Sequence, residues 1–345
     1  MPAITSGRVL VTGANGFLGL YVVRALLASG FSVRFTVRSE AKAAFVRELF
    51  VADAERLESV IVEDMLAPGA YDAAVPGVDG IVHLASPVDL LNAGDPEAVI
   101  RPAVSGVENL LASIGAHGNA LKRMVQISSV SALGGDFTPV ARYDEASWND
   151  ESPRVVAELG PAADSVSKYN ASKVLAERAF WDWIAARQPG WDGVAVLPSL
   201  SIGPDLQYAL SGTPTTAISF ALAPLLRAGI AQGQLGDALP FHGVDARDVA
   251  YVVVAALTTP QAGGERFIAS AGPVGVNDVA LAAEAAGGFA NIAKGNAAAS
   301  REALRAKSYV INGSKAERVL GFTYRPVRET LEETIKSLPA ELFAA

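Results

Sequence analysis

One short stretch constrains the fold of this chain more than any other. Residues 8–12, Arg8-Val9-Leu10-Val11-Thr12, read as a buried strand, and residues 16–28 read as a helix. Between them runs Thr12-Gly13-Ala14-Asn15-Gly16-Phe17-Leu18-Gly19. Glycines at these spacings permit a tight turn, let backbone approach a pyrophosphate closely, and let the helix pack hard on the strand. The helix start offers free N–H groups and a positive dipole end to phosphates. A strand, a glycine turn and a helix in this order announce the first unit of an α/β fold with a parallel sheet.

The rest of the first two-thirds repeats the alternation. Strands are expected over 31–37, 60–62, 80–84, 124–127 and 194–197, and helices over 40–49, 96–116 and 168–186. Continuous apolar strands separated by helices imply a sheet covered on both faces. The expected fold is therefore a Rossmann doubly wound parallel sheet with a smaller, mostly helical C-terminal substrate domain. The dinucleotide-binding part takes residues 1–200 plus about 245–272, and the substrate part about 201–244 plus 273–345. Residues 199–244 are rich in Ser, Gly, Thr and Pro and carry one apolar helix near 217–226. Residues 280–300 are Ala/Gly-rich and read as helix and loops.

Composition narrows the function. The 345 residues carry 28 basic and 36 acidic side chains, a formal charge of -8, which repels phosphate backbones and argues against nucleic acid as a partner. There is no cysteine, so disulfides, thiol catalysis and cysteine-ligated metal are excluded. The three histidines, His83, His117 and His242, fall in different elements without ligand spacing, so no metal site is expected. The longest apolar stretch, 249–257, is half the length that spans a bilayer, and residues 1–8 lack a signal-peptide core. The expectation is a cytoplasmic protein with no membrane partner. Nothing in the sequence sets an oligomeric state.

Two further patterns carry chemistry. The second strand ends in Val37-Arg38, where an Asp or Glu would grip a ribose with free hydroxyls. A guanidinium there pairs with a 2′-phosphate, so NADPH/NADP+ is expected over NADH, with Lys42 one helical turn further on. Asp64 and Met65, after the third strand, are expected beside the adenine. Tyr169-Asn170-Ala171-Ser172-Lys173 places a phenol and an ammonium on one helix face. At ~4 Å and an effective dielectric of ~20 that ammonium is worth about 4 kcal/mol to a phenolate, enough to draw the tyrosine pKa toward neutrality. Ser128 and Ser129 close the fifth strand, at the sheet edge where ligands of open α/β folds bind.

Together the glycine run, the serine pair and the Tyr-x-x-x-Lys resemble the extended short-chain dehydrogenase/reductase family. Nearest are its dihydroflavonol reductases, cinnamoyl-CoA reductases and fungal or yeast NADPH-dependent carbonyl reductases. Other matching pieces are Val37-Arg38-Ser39, residues 82–87, residues 143–148, residues 197–204 and residues 244–248. The resemblance implies a catalytic set of Ser129, Tyr169 and Lys173, with Ser128 and Ser131 flanking the family serine. It implies cofactor contacts from Thr12, Gly13, Asn15, Gly16, Phe17, Leu18, Gly19, Arg38, Leu84, Ala85, Ser86, Pro87, Ser128, Leu197, Pro198 and Ser199. A pocket drawn from 133–164 and 201–243 would include Leu133, Phe137, Tyr208 and Phe241, with Val88 beside them, and take a small apolar carbonyl compound. A sugar-nucleotide epimerase or dehydratase, a hydroxysteroid dehydrogenase and a non-catalytic NADPH sensor share this fold. The epimerases select NAD with an acid where Arg38 stands, and sensors usually lack the Tyr–Lys pair.

Overall fold

The computed structural model describes residues 3–86, 94–213, 241–287 and 294–339. The expected helix near 217–226, and Pro87 and Val88, lie outside the described residues. Among those described, the main sheet has the parallel strands β1 (Arg8–Thr12), β2 (Ser32–Val37), β3 (Leu57–Ile61), β4 (Gly80–His83) and β5 (Arg123–Ile127). After a short β6 (Arg142–Tyr143), β7 (Asp192–Pro198) continues it, and its spatial order begins β3-β2-β1-β4-β5-β7. The order reverses between β1 and β4, which opens a crevice at their C-terminal ends.

Side-chain alternation along these strands builds two cores. Val9, Val11, Val33, Phe35, Val82 and Val125 pack with helix α1 (Phe17–Ala28) on one face. Leu10, Ile81 and Met124 turn to the other face and meet α3 (Glu97–His117) and α5 (Ser165–Arg187), with α2 (Glu40–Leu49) and α4 (Glu151–Leu159) lying between these in the chain. Helix α5 starts three residues before the sequence predicts, because the Asp164 carboxylate accepts the Ser167 N–H at 2.9 Å and caps it.

Beyond β7 the chain forms β8 (Leu200–Ile202), α6 (Leu206–Ser211), β9 (Phe241–Asp245) and α7 (Ala246–Thr258). Strand β10 (Arg266–Ala269) then returns to the main sheet beside β7. The end contains β11 (Gly272–Val274), α8 (Val276–Ala286), α9 (Arg301–Ala306), β12 (Val310–Ile311), α10 (Ser314–Leu320) and α11 (Val327–Lys336). It is mostly helical, but its strands are structurally decisive. Strand β9 joins β8 in parallel and β11 antiparallel, while β12 pairs with β6. The segment that follows β5 is thus sewn to the C-terminal part. No described helix is long and apolar enough to cross a membrane.

Arg123, at the start of β5, is fully buried under α7. Its Nε and one Nη donate to the two Asp192 oxygens at 2.6 and 2.8 Å, and its other Nη reaches the carbonyls of Ala256 and Thr259. This bidentate pair locks β5 to β7 and α7. We expect Asp192→Ala to cost about 3–5 kcal/mol in urea unfolding, because it strands a buried guanidinium. A loss below ~1 kcal/mol would mean the carbonyls alone satisfy Arg123.

Candidate active site

The crevice between β1 and β4 is floored by the glycine turn. Gly13 adopts φ +70°, and a Cβ there would stand 2.9 Å from the Ala85 nitrogen. A Cβ on Gly19 would stand 2.2 Å from the Gly13 carbonyl oxygen. Both positions therefore require glycine: the first for its left-handed backbone, the second for close packing of α1 on the turn. Gly16 is exposed, and no side chain caps the start of α1. Asn15 and Leu18 are half-buried around this opening, while Phe17 is buried.

Thr12 ties the two sides of the crevice together. Its hydroxyl accepts the N–H groups of Leu84 and Ala85 at 3.2 and 3.1 Å, and meets His83 Nδ1 at 2.7 Å. With both amides donating, the hydroxyl proton goes to Nδ1, so His83 is a neutral ring protonated on Nε2. Burial, helped by the charge of Lys173, holds its pKa down at about 3. His83 belongs to the buried scaffold.

The residues present fit the nicotinamide dinucleotide that the motifs imply. Arg38 is exposed at the end of β2 and has no hydrogen-bond or ion-pair partner among the described residues, and Lys42 stands half-buried on α2 nearby in sequence. Ser199 is 5% exposed, and its hydroxyl finds no partner among the described residues. A buried orphan hydroxyl is costly unless a ligand answers it. Asp64 is exposed and uses its carboxylate to accept the Leu66 N–H, while the Met65 carbonyl accepts from Asn109.

On α5 the Tyr169 and Lys173 side chains meet at one helical turn, with Lys173 Nζ 5.5 Å from the phenol ring centre. The Tyr169 hydroxyl hydrogen-bonds Ser129, whose Oγ also accepts the Ser131 N–H. Ser129, Tyr169 and Lys173 are therefore together. Lys173 is buried, and its ammonium donates to Ser86 Oγ at 2.9 Å. Burial lowers its pKa to about 8. The electrostatics correct one sequence expectation. Burial raises the Tyr169 pKa, with only the Ser129 hydrogen bond opposing, so the phenol stays protonated at neutral pH.

Other expected residues are placed differently. Ser128 turns inward and donates to Glu177 at 2.6 Å, so its side chain serves the interior. Leu133 is 1% exposed, drawn by the turn at residues 130–132 into a cluster with Ala132, Val174 and Ile268. It is a core residue, which corrects its assignment to the pocket. Leu197 is also fully buried there, and Pro198 is buried beside Ser199. Phe137 is half-exposed and packs at a tilt against Tyr309, ring centres 5.2 Å apart, and the Tyr309 ring centre lies 4.9 Å from that of His242. Tyr208 and Phe241 are half-buried against the main core. The sequence reading missed Tyr309 and Glu177. Glu177 stands at i+4 from Lys173 and i+8 from Tyr169, a helical spacing that marks it as facing the same way.

A parallel doubly wound sheet with this Ser, Tyr and Lys at its switch-point edge defines a short-chain dehydrogenase/reductase of the extended type. The chain belongs to the NAD dependent epimerase/dehydratase family, whose model matches residues 9–270. It is 30% identical to a ketoreductase of Aspergillus niger over 96% of this chain and 97% of that protein. It is 34% identical to aldehyde reductase 2 of Sporidiobolus salmonicolor over 79% of this chain and 78% of the other. It also resembles the structure of Gre2 from Candida albicans, solved in complex with NADPH, at a TM-score of 0.82 and 26% identity. That match covers 96% of this chain and 98% of the other.

Holding Lys173 in the protein carries a stability penalty. An unfolded lysine takes a proton up to about pH 10.4, whereas the folded group loses it near 8. Between those values the unfolded state binds more protons, so stability rises with pH through that window. At pH 7 the penalty is of the order of 3 kcal/mol. We expect Lys173→Met to melt higher than the parent at pH 7, with the gain vanishing toward pH 10. A lower melting temperature at pH 7 would show that the Ser86 bond outweighs desolvation.

Proposed function

We propose that this protein is an NADPH-dependent carbonyl reductase that converts a small apolar aldehyde or ketone to an alcohol. The observation that carries this reading is the Tyr169 phenol, hydrogen-bonded to Ser129 and flanked by Lys173 with Nζ 5.5 Å from the ring centre, at the crevice whose floor is the glycine turn. Reduction needs a proton donor beside the carbonyl oxygen, and a buried phenol that keeps its proton at neutral pH is one. The names of the two curated relatives, a ketoreductase and an aldehyde reductase, support the same chemistry.

Gly13 to Gly19 and the start of α1 would hold the pyrophosphate of the cofactor, Arg38 and Lys42 its 2′-phosphate, and Ser199 its nicotinamide end. Asp64 and Met65 would border the adenine. The bound cofactor supplies the hydride that the carbonyl carbon accepts. Ser129 and Tyr169 would point two hydroxyl donors at the carbonyl oxygen, and their hydrogen bonds strengthen as that oxygen gains charge, which stabilises the transition state over the ground state. The Tyr169 proton then passes to the oxygen, and the nearby Lys173 ammonium favours the tyrosinate left behind. The described residues 201–213, 241–244, 273–287 and 294–339 would form the substrate side. There the Phe137–Tyr309 ring pair, with Tyr208 and Phe241, offers apolar surface without a fixed charge.

Two experiments test this reading. Tyr169→Phe removes one oxygen, so NADPH binding, followed by fluorescence, should survive while turnover of an activated ketone falls ~10²–10⁴-fold. Normal binding with near-parental turnover would reject Tyr169 as the acid. Arg38→Ala should raise the KM for NADPH about 10- to 150-fold and leave NADH nearly unchanged. Equal losses for both cofactors would reject the 2′-phosphate assignment.

A further inference from the structure

Glu177 is a third polar residue on the face of α5 that carries Tyr169 and Lys173, and it is fully buried. Donors converge on its carboxylate from three elements. Ser128 Oγ donates at 2.6 Å, Arg266 through Nε at 2.6 Å and Nη2 at 3.2 Å, and Trp181 Nε1 at 3.2 Å. The remaining Arg266 Nη donates to the carbonyls of Glu145 and Ser147 at 2.8 and 2.7 Å, and the guanidinium lies 4.0 Å over the Trp148 ring. One sealed carboxylate therefore joins the catalytic helix, the end of β5, strand β10 and the segment between β6 and α4.

A buried ion pair is seldom the most stable way to fill a core. Arg266 already satisfies the charge of Glu177, so the bond to Ser128 is extra. Its consequence is geometric. Ser128 is held by its N–H on the Val196 carbonyl at 2.8 Å and by its hydroxyl on Glu177. The next residue is Ser129, in extended conformation at φ -158° and ψ 154°, hydrogen-bonded to Tyr169. Tyr169 and Glu177 ride on the same helix, about 12 Å apart at its rise per residue. With both ends of that rigid span tied to neighbouring residues of one strand end, the position of Ser129 relative to the phenol is triangulated.

We propose that Glu177, clamped by Arg266, is a positioning residue that acts through Ser128 to set Ser129 against Tyr169. This rests on the reading of Ser129 and Tyr169 as the groups that hold the carbonyl oxygen. The role differs from a general structural one, because it is transmitted through a single hydroxyl and ends at a single catalytic residue.

The test is a pair of double-mutant cycles in steady-state ketone reduction, with NADPH affinity measured by fluorescence. Ser128→Ala removes the link but leaves Glu177 on Arg266 and Trp181. It should lower kcat about 10-fold or more, the scale of a small misplacement of a reacting group, with the Kd for NADPH unchanged within about twofold. In a Ser129→Ala background the same change should have no further effect, and Glu177→Gln should add nothing to Ser128→Ala. Should Glu177→Gln fail to fold, the serine cycle decides alone. Losses that multiply, or a Ser128→Ala variant with parental kcat while Ser129→Ala is impaired, would overturn the positioning role only. A Ser129→Ala variant with parental kcat would overturn the Ser–Tyr–Lys reading and this role with it.

Discussion

The hydroxyl of Thr12 is the interaction on which the site depends. It accepts from two amides at the end of β4 and meets a buried neutral histidine on that strand, where the order of the described strands reverses. An open parallel sheet tends to splay at its switch point, because the crossovers on either side leave in opposite directions. Thr12 bridges that gap. It brings Ala85 against Gly13 so closely that only glycine fits there. The cradle and the Ser86 that receives Lys173 are thereby built on one rigid seam.

Burial shapes the chemistry of α5 in two ways. It raises the Tyr169 pKa, moving that group's transition farther from neutral pH, and pulls the Lys173 pKa down to about 8, moving that one closer. The lysine remains largely charged at pH 7 and the phenol remains a donor. That combination suits reduction, which consumes a proton at oxygen. It is an arrangement whose destabilising cost is accepted at a functional site, as buried ionisable groups in clefts generally are.

Buried charge elsewhere orients the layers. Arg123 with Asp192 fixes β5 against β7 and α7, and Arg266 with Glu177 fixes β10 against α5. Asp248 pairs with Arg325, and Asp245 bonds Arg247 and Thr330, which together fasten the C-terminal helices to the start of α7. Such pairs are geometrically exacting where hydrophobic contacts are not, since a hydrogen-bonded carboxylate tolerates little displacement.

The sequence by itself determined the parts whose physics is local. The glycine turn, the i and i+4 relation of Tyr169 to Lys173, and the alternation of strand and helix depend on backbone conformation and short-range spacing. Tertiary structure alone decided the rest. The short strands β6, β8, β11 and β12 are too brief to show alternation and exist because partners pair with them. Leu133 could face pocket or core until the turn at residues 130–132 set its direction. Whether Ser128 or Ser129 faced Tyr169 depended on Glu177, and Glu177 on Arg266, 89 residues away in the chain. The sign of the tyrosine shift was likewise tertiary. Spacing located an ammonium beside the phenol, but desolvation comes from every element packed around it, and here it outweighs the opposing Ser129 hydrogen bond.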